Sequence, residues 1–159
     1  MGSVGERTRA ATYQDVVRVA QLLEAEGAAY ALIGGYALAL QGIVRLTEDI
    51  DILVEPTAEN ARRWVRALSK LPDGAAKELI GDDTLHEELY AIRINDEFTV
   101  DVMNSASGFT WKSLLAYRRS VEGISVVSLE GLLLMKEHGR LKDQADAEEI
   151  RRALRGQRE

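Results

Sequence analysis

Two aspartates separated by one isoleucine lie inside the apolar run EDIDILV, Glu48–Val54, and no other stretch constrains the fold as tightly. Side chains alternate across a strand, so Asp49 and Asp51 project from one face while Ile50 and Ile52 enter the core from the other. Charge is seldom buried without a partner. The acid-bearing face must therefore meet water, a cation or a ligand. Two steps of ~3.3 Å put the two Cβ atoms roughly 6–7 Å apart. That spacing suits a pair of hard cations, which two-metal sites hold about 3.5–4 Å apart. The plainer account is a solvated edge strand with one wet face.

Asp101 repeats the pattern in FTVDVM, as a lone acid between Val100 and Val102. If this strand pairs with Asp49–Leu53, a third carboxylate joins the first two. Magnesium takes oxygen ligands and binds through a few carboxylates, waters and substrate phosphates. The plainer account of Asp101 is an ion pair with an arginine such as Arg93. Upstream, the strand YALIGG ends at Gly34–Gly35, before the short apolar helix YALALQG. Glycines at a strand-to-helix turn leave backbone N–H groups open, and with the positive helix end they form an anion seat. Otherwise the pair is only a tight turn. An anion seat facing metal-binding acids describes a nucleoside triphosphate site.

The whole chain narrows the context. Its 159 residues suit one domain with a hydrophobic core. There are no cysteines, which excludes disulfides and thiolate chemistry, and two histidines distant in sequence, His86 and His138, do not suggest zinc. The start, MGSVGERTRA, lacks the apolar core of a signal peptide, and no run approaches the ~20 residues of a membrane span. Residues 1–11 are read as a disordered or expression-derived extension, and a cytoplasmic location is expected. A net charge of −6 argues against bulk nucleic acid as a partner, because phosphate neutralisation needs Lys and Arg.

Periodicity and capping residues give the element order. Thr12 with Asp15 opens a helix whose stripe is Val16, Val19, Ala20 and Leu23, stopped by Gly27. Thr57 caps a helix after the EDIDILVEP strand, with Val65 and Leu68 inward. ELYAIRI and FTVDVM read as a hairpin turning at Asn95–Asp96. TWKSLLAYRR reads as a helix and ISVVSL as a strand. Ser128 caps a helix ending at Gly139, and a last helix runs from about Lys142 to Leu154, with Asp143 and Asp146 as capping acids. The expectation is a mixed α/β (α+β) fold: a small sheet with helices packed on one face, and with at least one antiparallel pair.

The pieces IGGYA, RLTEDIDI and VDVM resemble the signature of the DNA polymerase beta-like nucleotidyltransferase superfamily. The ending LLLMKEHGRLKDQADAEEI is similar to its small bacterial branch, which includes antibiotic nucleotidyltransferases and those of abortive-infection and toxin–antitoxin systems. The resemblance runs over about Ala31–Ile150 and implies a nucleotidyltransferase fold with a mixed, mostly antiparallel sheet, as a single domain over 12–159. It implies that Asp49, Asp51 and Asp101 are catalytic and bind metal: two Mg²⁺ ions, with Mn²⁺ as a substitute. Gly34 and Gly35 would hold the β- and γ-phosphates, while Arg45, Thr47 and Lys136 would join the nucleotide site. Many members carry Ser where this chain has Gly35. For Arg45 the plainer account is pairing with Glu48; for Lys136 it is a solvated helix face.

The resulting expectation is an enzyme moving a nucleoside monophosphate, AMP first, from a triphosphate to a hydroxyl. The acceptor would be an antibiotic-like small molecule, a protein side chain or a tRNA end. A homodimer or a partner protein would complete the acceptor pocket. The competing expectation is a catalytically weak nucleotidyltransferase-fold antitoxin or interaction module acting through a protein partner.

Overall fold

The computed structural model describes residues 3–4, 8–87, 91–137 and 141–158. In chain order the elements are β1 (Ser3–Val4), α1 (Tyr13–Ala25), β2 (Tyr30–Ile33), α2 (Gly34–Leu40), β3 (Ile50–Val54), α3 (Ala58–Leu68), β4 (Ala91–Asn95), β5 (Thr99–Met103), β6 (Ser105–Ala106), β7 (Phe109–Thr110), β8 (Arg118–Val121), β9 (Ile124–Val127), α4 (Leu129–Glu137) and α5 (Leu141–Arg158). One seven-stranded sheet has the order β1-β4-β5-β3-β2-β9-β8, with β6 and β7 as a separate hairpin. The β2–β3, β4–β5, β6–β7 and β8–β9 pairs are antiparallel, and β1–β4, β2–β9 and β3–β5 are parallel. This is a mixed α+β fold.

The helices start where their caps require. The Thr12 hydroxyl accepts from the Asp15 N–H while an Asp15 oxygen accepts from the Thr12 N–H, so two orphan donors are satisfied at once. Thr57 accepts from Asn60 N–H, and the Asn60 amide then ties α3 to Ala29 and Glu55. Ser128 accepts from Gly131 N–H at the start of α4. Val16, Val19, Ala20 and Leu23 of α1, Trp64, Val65 and Leu68 of α3, and Ala147, Ile150 and Leu154 of α5 are all buried.

Four expectations change. TWKSLLAYRR is not an α-helix: it holds β7, turns, a short 3-10 segment Leu115–Tyr117 and then β8. The Ser113 hydroxyl accepts from Thr110 N–H to close a tight turn, Leu114 is fully buried, and the Arg118 guanidinium stacks 3.7 Å from the Trp111 ring centre. Pairing of Arg118–Val121 with β9 therefore overrides the helical period. Second, the β4–β5 turn lies past Asn95, because Asn95 pairs with Thr99. The buried Asp96 carboxylate accepts from the N–H groups of Asp73, Ala75 and Glu97, which makes it an anchor for another loop.

Third, β3 is not open along a whole face: Leu53, on the side of Asp51, is as buried as Ile50 and Ile52. Only the start of the strand is left for charge. Fourth, part of the leading segment belongs to the fold. Ser3–Val4 pairs with β4, Ala11 is buried, and Ala11 N–H donates to Glu48 O at 2.8 Å. The expected stop at Gly139, His138 and the start of ELYAIRI at Glu88–Tyr90 lie outside the described residues, as do the side chains of Lys142 and Asp143. Among the described residues no helix is long and apolar enough to cross a membrane.

Candidate functional site

The central strands meet at the acids. Asp51 lies opposite Ile33 on β2 and opposite Asp101 on β5, while Asp101 lies opposite Arg93 on β4. Asp49 precedes β3 in the bend that leads into it. Parallel pairing thus brings Asp51 and Asp101 side by side, and Asp101 supplies the third carboxylate.

The glycines are fixed by what faces them. Gly34 opens α2 with φ at +73°, and a Cβ there would collide with the Asp51 carboxylate. Gly35 lacks a positive φ, yet its Cβ would fall 2.7 Å from Thr47 Cβ and 2.8 Å from Thr47 Oγ1. One glycine admits the acid and the other admits the threonine. Ile33 caps α2 without any side-chain hydrogen bond, so the first N–H groups of that helix are free of side-chain caps. The Thr47 hydroxyl donates to Asp49 O at 3.2 Å and holds the loop before β3 against the glycine turn.

These groups line a cleft of about 400 Å³: Gly34, Gly35, Arg45, Thr47, Asp49, Asp51 and Lys136 face it, together with Glu48 and Asp146. Asp101 stands beside Asp51 but outside the lining. Arg45 does not pair with Glu48. Its Nη1 lies 2.7 Å from Asp146 Oδ1 and 3.5 Å from Glu149 Oε1, and Lys136 Nζ lies 3.3 Å from Asp146 Oδ2. The 2.7 Å approach is an ion pair rather than an aligned hydrogen bond, since Asp146 Oδ1 accepts none.

Asp146, 3% exposed, is the buried acid on which both cations converge. It was expected only to cap the last helix. The sequence did carry a signal: Asp146, Ile150 and Leu154 are spaced four apart, so the acid is in phase with the inward stripe of α5.

The electrostatics of the acids follow from burial. Desolvation first, then the charge and hydrogen bond of Asp101 and the charge of Asp49, push the Asp51 carboxyl up to about 7, with Arg93 pulling the other way. Asp49 is raised by burial and by Asp101, against Arg93. Arg93 is raised by its hydrogen bond to Asp101 and by the charges around it. Arg93 is the ion-pair partner of Asp101: Nε and Nη2 grip both Asp101 oxygens at 3.0 and 3.1 Å.

The donor set is all oxygen, as a hard divalent ion requires, and Gly34 leaves the Asp51 carboxylate room. Among the described residues, though, no three such side chains converge on one metal position. The residues fit a metal in chemistry and strand placement, with Arg93 lying among them.

No family model matches the chain, and no curated protein matches it. Among solved structures it is similar to a candidate nucleotidyltransferase of Thermotoga maritima, at 22% identity and a TM-score of 0.53, over 91% of this chain and 93% of that one. The likeness shows the fold, which this chain shares with that candidate nucleotidyltransferase.

Proposed function

We propose that this chain is a metal-dependent nucleotidyltransferase that moves a nucleoside monophosphate, AMP as the first donor to test, from a triphosphate to a hydroxyl acceptor. The observation that supports it best is the in-register Asp51–Asp101 pair beside Asp49, set against a glycine turn that has no Cβ in the way. In this reading Asp49, Asp51 and Asp101 hold two Mg²⁺ ions, or Mn²⁺ in their place. Held there, such ions would supply positive charge to the transferring phosphoryl group and the leaving pyrophosphate.

The chain's own groups do the rest. N–H groups at Gly34 and Gly35 bind the β- and γ-phosphates, and Arg45 and Lys136, positioned by Asp146, meet their charge. Thr47 Oγ1 lies where a side chain on Gly35 would be, so it supplies in space the hydroxyl that a serine there would carry. The acceptor oxygen bonds to the α-phosphorus, the bond from that phosphorus to the α–β bridging oxygen breaks, and the hydroxyl proton passes to a carboxylate. The acceptor is an antibiotic-like small molecule, a protein side chain or a tRNA end, and the net charge of −6 disfavours the last.

One observation favours the second reading, an antitoxin or interaction module. Val44 and Leu46, either side of Arg45 at the cleft, are 91% and 100% exposed, as a contact surface for a protein partner or a second copy would be.

Calorimetric titration of ATP, GTP, CTP and UTP with Mg²⁺ tests the proposal, on wild type and on Asp49→Asn/Asp51→Asn. Metal-dependent binding that disappears in the double variant is the expected result. Failure of folded wild type to bind any triphosphate would sink it in favour of the partner-binding module.

A further inference from the structure

The acids proposed to hold metal are already held by a cation. Arg93 projects from β4 directly across the antiparallel ladder from Asp101. Nε donates to Asp101 Oδ1 at 3.0 Å and Nη2 to Asp101 Oδ2 at 3.1 Å, so the guanidinium fork engages both oxygens. The same Nη2 reaches Asp49 Oδ2 at 3.3 Å. It therefore stands between two acids, Asp101 on β5 and Asp49 in the bend that leads into β3.

A divalent ion held by both Asp49 and Asp101 would need the place between their carboxylates that Nη2 takes. Guanidinium and metal carry charge of the same sign, and one nitrogen already takes the space. They cannot share it. A wedge between the acids also accounts for why no three of them, among the described residues, converge on one metal position. The Asp101 side chain is 15% exposed whereas that of Arg93 is 53% exposed, so the arginine is the partner able to leave, by rotating its side chain into solvent.

We propose that Arg93 is a resident counter-ion that a divalent metal displaces from the gap between Asp49 and Asp101. This rests on the metal-dependent reading above and adds a property to it: the site is occupied by its own side chain until metal arrives. Arg93 stabilises the acid cluster in the metal-free chain and raises the metal concentration needed to load it. Metal binding is thereby coupled to release of one arginine.

The test is Mn²⁺ binding, followed by electron paramagnetic resonance, for wild type, Arg93→Gln, Arg93→Lys and Asp49→Asn/Asp51→Asn. Melting curves in EDTA and in Mn²⁺ accompany it. Arg93→Gln is expected to bind Mn²⁺ at least about tenfold more tightly than wild type, the equivalent of one charged hydrogen bond no longer broken. Its melting temperature falls in EDTA and gains more than that of wild type when Mn²⁺ is added. Arg93→Lys, which keeps the charge but loses the fork, falls between the two and serves alone if Arg93→Gln does not fold.

Equal affinity in wild type and both Arg93 variants, with binding abolished in the double aspartate variant, overturns the displacement while leaving the metal site standing. Weaker binding in Arg93→Gln also overturns it, since Arg93 would then orient Asp101 for the metal. Absence of Mn²⁺ binding in every variant removes the metal reading itself, and this inference with it.

Discussion

On the β3 side of the cleft, Asp49 and Asp101 share the guanidinium of Arg93, with Asp51 beside Asp101, whereas on the α5 side Arg45 and Lys136 converge on Asp146, with Glu149 close by. Both clusters are built from the same residue types, but the balance differs. Among the described residues, three acids face one arginine on the first wall, and two cations face two acids on the second. An acid cluster with a deficit of positive charge stores unfavourable energy that a bound cation relieves. A balanced cluster around a buried acid instead fixes side chains in place. In the proposed reading the first wall would bind metal, and the second would support the groups that meet anions.

The sharpest way to break this comparison is Asp51→Asn. If the β3 wall binds metal, nucleotidyl transfer, followed as pyrophosphate release from ATP with Mg²⁺, falls by on the order of a thousandfold or more. The variant nevertheless folds, because it loses an acid that burial and its neighbours disfavour. Undiminished turnover would remove Asp51 from the chemistry.

Asp146→Ala should do the reverse. It leaves Arg45 and Lys136 facing a site without its buried acid, and breaking a buried pair costs about 3–5 kcal/mol. Chemical denaturation of the variant should show a loss of that size, with a smaller one for Asp146→Asn. A neutral Asp146→Ala would mean that the α5 wall is solvated and positions nothing.

The pH dependence of stability separates the walls again. With the Asp51 carboxyl at about 7 in the folded chain and near its ordinary value when unfolded, the folded state binds the extra proton between about pH 4 and 7. Stability therefore falls as pH rises through that window, and the cost is fully present above it. Urea titrations from pH 4 to 8 should show that slope in wild type and its loss in Asp51→Asn, which is then the more stable protein at pH 8. Divalent metal should flatten the slope by taking the proton's place. An unchanged slope in Asp51→Asn would assign the dependence elsewhere.

The two walls also differ in how far the sequence revealed them. Asp49, Asp51 and Gly34–Gly35 were legible because each lies within one short segment whose period, two or a strand-to-helix switch, is local. Asp101 was legible through the same alternation. The pairing of Arg93 with it required register. A turn centred on Asn95–Asp96 would set Arg93 opposite Phe98, and only the anchoring of Asp96 to the Asp73 and Ala75 backbone moves the turn and brings Arg93 opposite Asp101. The α5 wall joins residues at 45, 136, 146 and 149, and no local period links them. The helix expected at TWKSLLAYRR, which the structure replaces with turns and β8, has the same origin. Pairing of Arg118–Val121 with β9 is a tertiary choice that helical spacing in the segment does not encode.

The smallest effect is expected at the glycine turn that faces the acids. Gly35 has no positive φ, so its backbone would accept a side chain; Thr47 would not, because its Cβ is 2.7 Å from where the new one would be. Gly35→Ser alone should cost about 1–3 kcal/mol by overpacking. Thr47→Gly alone should cost roughly 1 kcal/mol or more, through the lost hydrogen bond to Asp49 O and the added backbone freedom. The double variant Gly35→Ser/Thr47→Gly restores space and moves the hydroxyl from one segment to the other. Its loss should be smaller than the sum of the singles by about 0.5–3 kcal/mol, as for residues in direct contact. Nucleotide titration on the same four proteins then tells what the hydroxyl does. Weakened triphosphate binding in Thr47→Gly that returns in the double variant places the hydroxyl on a phosphate. Coupling in stability without recovery of binding limits Thr47 to holding the β3 loop, and additive losses in stability would show that the two residues do not compete for one space.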